Sequence, residues 1–528
     1  MNLKKVLASL FSLSLVLSPM SVCAEESIGT IYAYSQNPNE TTRLYRTIED
    51  AWDDACAGTK ICLSNDWILS SRLVIPEGKT VTIEMNGYKI DRNLSESASD
   101  GEVIYMSENS SLTITGSEES TTSVKNLYEN KNGVVTSNVT LGGFITGGAS
   151  SNGGGGIHMK AGCKLTLDHV GVVGNNSEYF LAGGGGIMAD GKSCEINLNN
   201  GSMVSYNYAY NDGAGIYVND EDTYINMDNS VISYNRSSDE GGGIYSDEDA
   251  TRVSMSNNSK IENNLAKKGG GLYFNDSYSL VQSSDYTGVI SDNLAKNSDK
   301  TAGGAIYYAN VSFALEEAEI KNITLKNNKA ICIGDGSSKG GAIYTCQDDL
   351  TLTNCTLTNN FADIGGAVYA NDDMTLNGST IENNEATSKG GGVYVDSTYN
   401  VTLHGTLFVQ NNTRTDTNKK DDIYLDSDTW TQAHVSNSPD TGSKIGLLGI
   451  GESLVAIQQG TEDWADIYFL DESDSYHLVC DEFNIYERKG ATGSIFGNGN
   501  LVIASGVMVG IVAVGAVILV VNKKKKNA

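Results

Sequence analysis

The stretch GGAVYA, residues 365–370, decides the fold, because eight near copies of it stand elsewhere in the chain. They are GGGIHM at 154–159, GGGIMA at 184–189, GAGIYV at 213–218, GGGIYS at 241–246, GGGLYF at 269–274, GGAIYY at 303–308, GGAIYT at 340–345 and GGGVYV at 390–395. The aliphatic residue of each copy falls at Ile157, Ile187, Ile216, Ile244, Leu272, Ile306, Ile343, Val368 and Val393, so the spacing drifts between 25 and 37 residues. A drifting period in that range is the mark of a solenoid whose coils stack on one another. A second landmark precedes each following Gly-Gly: an aliphatic residue, two more, then asparagine, as in SVISYN at 230–235, CTLTNN at 355–360 and STIENN at 379–384.

Helical repeats fit poorly. A glycine pair in every unit weakens a helix, and the apolar residues alternate with period two. Short strands joined by Asn, Asp and Gly corners fit, since those residues accept positive φ. The expected fold class is therefore all-β, a right-handed parallel β-helix. Within each copy the aliphatic residue and the residue two beyond it share the inner face, where each buried aliphatic contributes about 1.5–3 kcal/mol. The turn asparagines are expected to stack and hydrogen-bond amide to amide.

Tyrosine, one residue from the aliphatic, must then point away from the core. This places Tyr217, Tyr245, Tyr273, Tyr307, Tyr344, Tyr369, Tyr394 and, in the worn copy DDIYLD at 421–426, Tyr424 in one outward column. Neighbours should lie about 4.8 Å apart. Such a column is either a platform on which sugars or a partner's side chains stack, or a seam that stabilises the sheet through its own stacking. An acidic turn follows the same strand, supplying Asp220, Asp222, Asp247, Asp249, Asp348, Asp372 and Asp373. Stacked carboxylates repel one another, so these turns are either solvated or hold Ca²⁺, the one cofactor the sequence offers.

The ends of the chain point to export and anchoring. Residues 1–24 combine Lys4 and Lys5, an apolar run and small residues at the end, the layout of a secretory signal peptide. Cleavage there ranks above acylation at Cys23. Residues 501–521 carry no charge and precede a lysine-rich tail at 522–528, which is the pattern of a membrane-spanning helix whose tail stays cytoplasmic. Everything between would face outward. Residues 25–100 are expected to form an N-terminal cap with the first coils, 101–430 the repeats, and 431–500 a small β-rich capping or spacer unit. The cap should include a short helix from Thr47, with Ile48, Ala51, Trp52 and Ala55 on one apolar face.

Composition narrows the partners. The net charge of −29 at pH 7 argues against nucleic acid. Eight cysteines follow the signal: Cys56, Cys62, Cys163, Cys194, Cys332, Cys346, Cys355 and Cys480. They match no zinc spacing and leave disulfides and free thiols equally open.

GG[AG][IVL]Y paired with [IVL]xxN resembles the repeat of the chlamydial polymorphic outer-membrane proteins, whose pattern pairs GGA[IV] with FxxN, and more broadly the β-helix proteins of bacterial surfaces. The resemblance covers about residues 100–425. It implies a cell-surface adhesin that binds host glycans or proteins. Two departures are visible: the phenylalanine of FxxN is mostly Ile, Leu or Val, and a single apolar stretch stands where an autotransporter barrel would follow. The rival reading is a surface-anchored polysaccharide lyase or glycoside hydrolase, since many parallel β-helices process polysaccharide and paired acids are abundant. Against it, the coils are uniform, arginine is scarce, and the histidines are scattered. A passive spacer is the third reading, and no residue is singled out as catalytic.

Overall fold

The computed structural model describes residues 59–449 apart from 126–135, 181–182, 249, 276–279, 310–316, 347–348, 397–398, 400 and 427–433. Outside that span it describes 33–36, 43–45, 47–53, 454–456, 468–470, 476–480, 484–489 and 501–502. One coil illustrates the rest. Its four strands are Val368–Ala370, Met374–Asn377, Thr380–Glu382 and Glu385–Lys389. Each pairs in parallel with the equivalent strand of the coil before and the coil after. The molecule is a parallel β-helix, and the nine Gly-Gly copies are successive coils of it.

Alternation explains the inner face. Val368, Ala370, Met374, Leu376, Ile381 and Ala386 are all buried; the first five join the same positions of the other coils in one continuous apolar core, while Ala295, Ala330 and Ala362, the equivalents of Ala386, form a small cluster of their own. The coil turns at residues that tolerate left-handed backbone: Gly378 (φ 60°), Asn383 (φ 58°) and Gly390 (φ 61°).

The quoted glycines have separate jobs. Gly365 takes φ 67° where the chain re-enters the strand. Gly366 lies against the backbone of the neighbouring coils, and a Cβ on it would stand 2.5 Å from the carbonyl oxygen of Glu385. The third position has a little more room and holds alanine at Ala305, Ala342 and Ala367, whereas the second holds it once among the quoted copies, at Ala214.

The asparagine stack is present and continuous. Asn175, Asn207, Asn235, Asn264, Asn293, Asn328, Asn360, Asn384 and Asn412 are each at most 1% exposed. The backbone N–H and the side-chain Nδ2 of each donate to the Oδ1 of the next, at 2.7–3.2 Å, and the last pair ends on Asp422 Oδ1. Nδ2 also donates backward, to a backbone carbonyl of the previous coil: Asn293 to Ile261 O at 2.9 Å, for example. The ladder amides are thus satisfied along the length of the solenoid.

The N-terminal end carries a short antiparallel sheet and one short helix. Ala33–Gln36 pairs antiparallel with the first coil strand, Lys60–Leu63, and with Arg43–Tyr45, covering an otherwise open edge. A helix, Ile48–Asp53, packs beside them, with Thr47 Oγ1 accepting the Asp50 N–H at 3.1 Å and Ala51 buried. At the other end parallel stacking continues past residue 430, through Lys444–Gly449 on Phe408–Gln410 and Ile423–Leu425.

The signal segment lies outside the described residues, and so does the apolar segment 501–521 except for Leu501–Val502, which pair with Val479–Cys480. Among the described residues no helix is long and apolar enough to cross a membrane. Cys163, Cys194, Cys332, Cys346 and Cys355 carry no disulfide, and burial pushes the Cys194 and Cys355 thiols up to about 12. Cys56 lies outside the described residues.

Candidate functional site

The tyrosine column exists, in register, with ring centroids 4.7–5.7 Å apart and planes within 4–23° from Tyr217 to Tyr424. Its exposure does not match expectation. Tyr217, Tyr245, Tyr273, Tyr307, Tyr369, Tyr394 and Tyr424 are all buried, and Tyr344 is half-buried. The rings do point away from the main core. They form two apolar clusters of their own, because each ring is sandwiched by its neighbours and roofed by the segment that leads into the next Gly-Gly.

The roof consists of the residue just before each glycine pair. Ala302 and Ile364 pack on the rings. The ammonium groups of Lys268, Lys339 and Lys389 lie over them, with Lys339 4.2 Å above Tyr369. Several hydroxyls are committed as well: Tyr245 donates to Asp247 at 3.0 Å, Tyr369 to Asp396 at 3.0 Å, and Tyr394 to Asp426. Burial pushes these phenols well above their ordinary range. The column is a second, external seam that ties coil to coil.

The acidic turns are partnered individually. Asp247 accepts from Tyr245 and from Asn275 Nδ2 at 3.1 Å, and Asp220 stands 3.9 Å from Lys192. Asp222 takes a left-handed turn position, at φ 58°. Asp372 accepts the Asp373 N–H at 2.8 Å, and burial raises its carboxyl. Asp249 and Asp348 lie outside the described residues. Among the described residues no three His, Cys, Asp or Glu side chains stand together as a metal site.

The stack brings together one polar cluster that the scattered histidines concealed. His158 occupies the column position between Tyr105 and Met188. Its Nε2 lies 3.1 Å from Asp190 Oδ2, and its Nδ1 lies 3.8 Å from Glu102 Oε1. Lys160 also reaches Asp190, and Arg72 holds Glu102 at 2.7 Å while lying 4.3 Å over Tyr105. The hydrogen bond from His158, reinforced by Lys160, holds the Asp190 carboxyl far below the usual range. Glu102 is 1% exposed, and its Oε2 lacks a hydrogen-bond partner. Glu102, His158 and Asp190 are each more than 30 residues from the next in sequence. Aligning GEVIYM, GGGIHM and GGGIMA on their shared aliphatic would have placed them side by side.

The C-terminal end of the column has a buried acid of its own. Asp421 takes the place of the second glycine in the worn copy; Oδ2 accepts the Gly390 N–H at 2.8 Å, Oδ1 has no partner, and burial pushes the carboxyl up to about 7. A carboxyl that keeps its proton longer when folded than when unfolded weakens the fold as pH rises from about 4 to about 7, by about 1.4 kcal/mol per unit. Asp421→Asn should therefore melt higher than the parent at pH 7.5 and level with it near pH 4, in thermal melts taken across that range. Equal melting temperatures at pH 7.5 would contradict a buried, protonated Asp421.

The Chlamydia polymorphic membrane protein repeat matches residues 322–346 and 378–396. Each stretch runs from an asparagine-ladder strand to the next Gly-Gly strand, so the chain carries repeats of this kind, and the family they typify is one of membrane proteins. No curated protein and no solved structure matches the chain.

Proposed function

We propose that this chain is a cell-surface adhesin, a right-handed β-helix held at the membrane through residues 501–521 after signal cleavage. It would present one long, uniform face to extracellular glycans or proteins. The observation that carries this reading is the membrane-protein repeat recurring within a stack of interchangeable coils. A stack knitted by buried asparagine and tyrosine seams is stiff, and stiffness suits a scaffold that holds contact residues at a fixed distance from the cell. The right hand is the one that twisted parallel strands favour.

The polysaccharide-processing alternative gains one specific support, His158 set between the carboxylates of Asp190 and Glu102. Two measurements on the full chain in detergent separate the readings: retention on an immobilised glycan array, and release of reducing ends from the retained glycans. Binding without release is the expected result. Release abolished by Glu102→Gln would move the assignment to an enzyme, and neither binding nor release would leave a protein ligand or the spacer.

A further inference from the structure

The corner before each ladder asparagine demands left-handed backbone, with φ between 55° and 67° from Gly174 to Asn411. Six later coils meet the demand with Asn or Asp, at Asn263, Asp292, Asn327, Asn359, Asn383 and Asn411, whose short polar side chains adopt it at little cost. Two coils place tyrosine there instead, Tyr206 at φ 58° and Tyr234 at φ 55°. For a bulky residue this is a disfavoured conformation. Burial does not compensate for it, since Tyr234 is 48% exposed and Tyr206 half-buried. Strain kept at an exposed position points to use.

The geometry shows what the pair offers. The two rings are parallel within 4°, with centroids 5.0 Å apart. Tyr206 is wedged against the buried cluster of Leu141, Phe144 and Val173, so it is a fixed support. Tyr234 rests on it, and its opposite face looks toward the next coil, where the short Asn263 holds the corner. Glu262 lies opposite Ser233 in the next coil, and the exposed Asp292 takes the same corner one coil further on; partial burial, then the neighbouring Tyr206, Glu262 and Asp292, raise the Tyr234 phenol. Lys260 lies 3.8 Å from Glu262, and Asn327 donates to Asp292 at 3.1 Å. An apolar ring face one coil high, bordered by carboxylate and amide oxygens, matches a pyranose: carbon–hydrogen face on the ring, hydroxyls donated to the oxygens.

We infer that Tyr234, supported by Tyr206 and flanked by Asn263, Glu262 and Asp292, is a stacking subsite for an uncharged hexopyranose. Sialylated or uronic sugars are excluded by the two carboxylates and by the net charge of −29. The inference rests on the adhesin reading and gives that reading a location distinct from the buried column.

The test titrates the full chain in detergent with the neutral oligosaccharides best retained on the array, beside their sialylated forms. Tyr234→Asn should weaken neutral-glycan binding about tenfold or more, and Tyr234→Phe should stay within about threefold. Because asparagine is the residue other coils use at this corner, Tyr234→Asn should also unfold at or above the parental temperature, which separates lost binding from lost fold. Binding unchanged in Tyr234→Asn would overturn the subsite while leaving the adhesin reading in place, as would preference for sialylated glycans. Failure of the parent chain to bind any glycan would overturn the subsite together with the glycan-binding form of the adhesin reading.

Discussion

Gly366→Ala should destabilise the solenoid by about 2–3 kcal/mol, although the change adds one methyl group. The new Cβ would overlap the Gly391 carbonyl oxygen and stand 2.5 Å from that of Glu385. Both obstacles are backbone, so the coils must shift locally to admit the methyl group, although one coil of the stack does carry a buried alanine at this position, Ala214. The neighbouring position provides the control: Ala367→Gly removes a methyl group that fits and should cost no more than about 1 kcal/mol. Urea unfolding followed by circular dichroism measures both. A Gly366→Ala protein as stable as Ala367→Gly would mean that the coils are not packed backbone to backbone at the glycine pair.

Asn293→Ala is the second large effect, and its origin is unmet polarity. Asn293 Oδ1 accepts from the backbone N–H and the Nδ2 of Asn264, both at 3.0 Å, and its own Nδ2 serves Asn328 Oδ1 and Ile261 O. Truncation leaves the Asn264 N–H and one Asn264 Nδ2 hydrogen dry and unpaired in a site that is 1% exposed. At about 1–3 kcal/mol for each stranded group, the expected loss is about 3–5 kcal/mol. Asn327→Ala, one residue before the next ladder asparagine, removes only a surface amide and the left-handed preference, and should cost about 1 kcal/mol. Comparable losses at Asn293 and Asn327 would show that the ladder bonds contribute little.

Much of this architecture was legible because it repeats. The Gly-Gly and Asn landmarks place the four strands of every coil in register, the period-two alternation of Val368 and Ala370 identifies the inner face, and the spacing alone implies stacked amides. What escaped was anything that depends on the path between landmarks. The segment before Gly-Gly folds back over the tyrosines, and Lys268, Ala302, Lys339, Ile364 and Lys389 look in sequence like ordinary loop residues. Burial of the column follows from that return, which alternation cannot encode. The exposed tyrosines escaped for the opposite reason. Tyr206 and Tyr234 sit inside SMVSYN and SVISYN, where attention falls on the asparagine that follows. Only the dihedral angle reveals that an aromatic ring occupies a corner built for Asn.

The asparagine ladder runs one way, each side chain giving to its successor until an aspartate that needs to give nothing brings the series to a close. Nothing in an individual rung records its ordinal place. A duplication or loss of one whole unit, Leu265 through Asn293 for instance, would rejoin the same partners across the cut and change the reach of the molecule by about 4.8 Å. The length of the solenoid is therefore a quantity that recombination between units sharing these landmarks can adjust step by step, leaving both ends as they were.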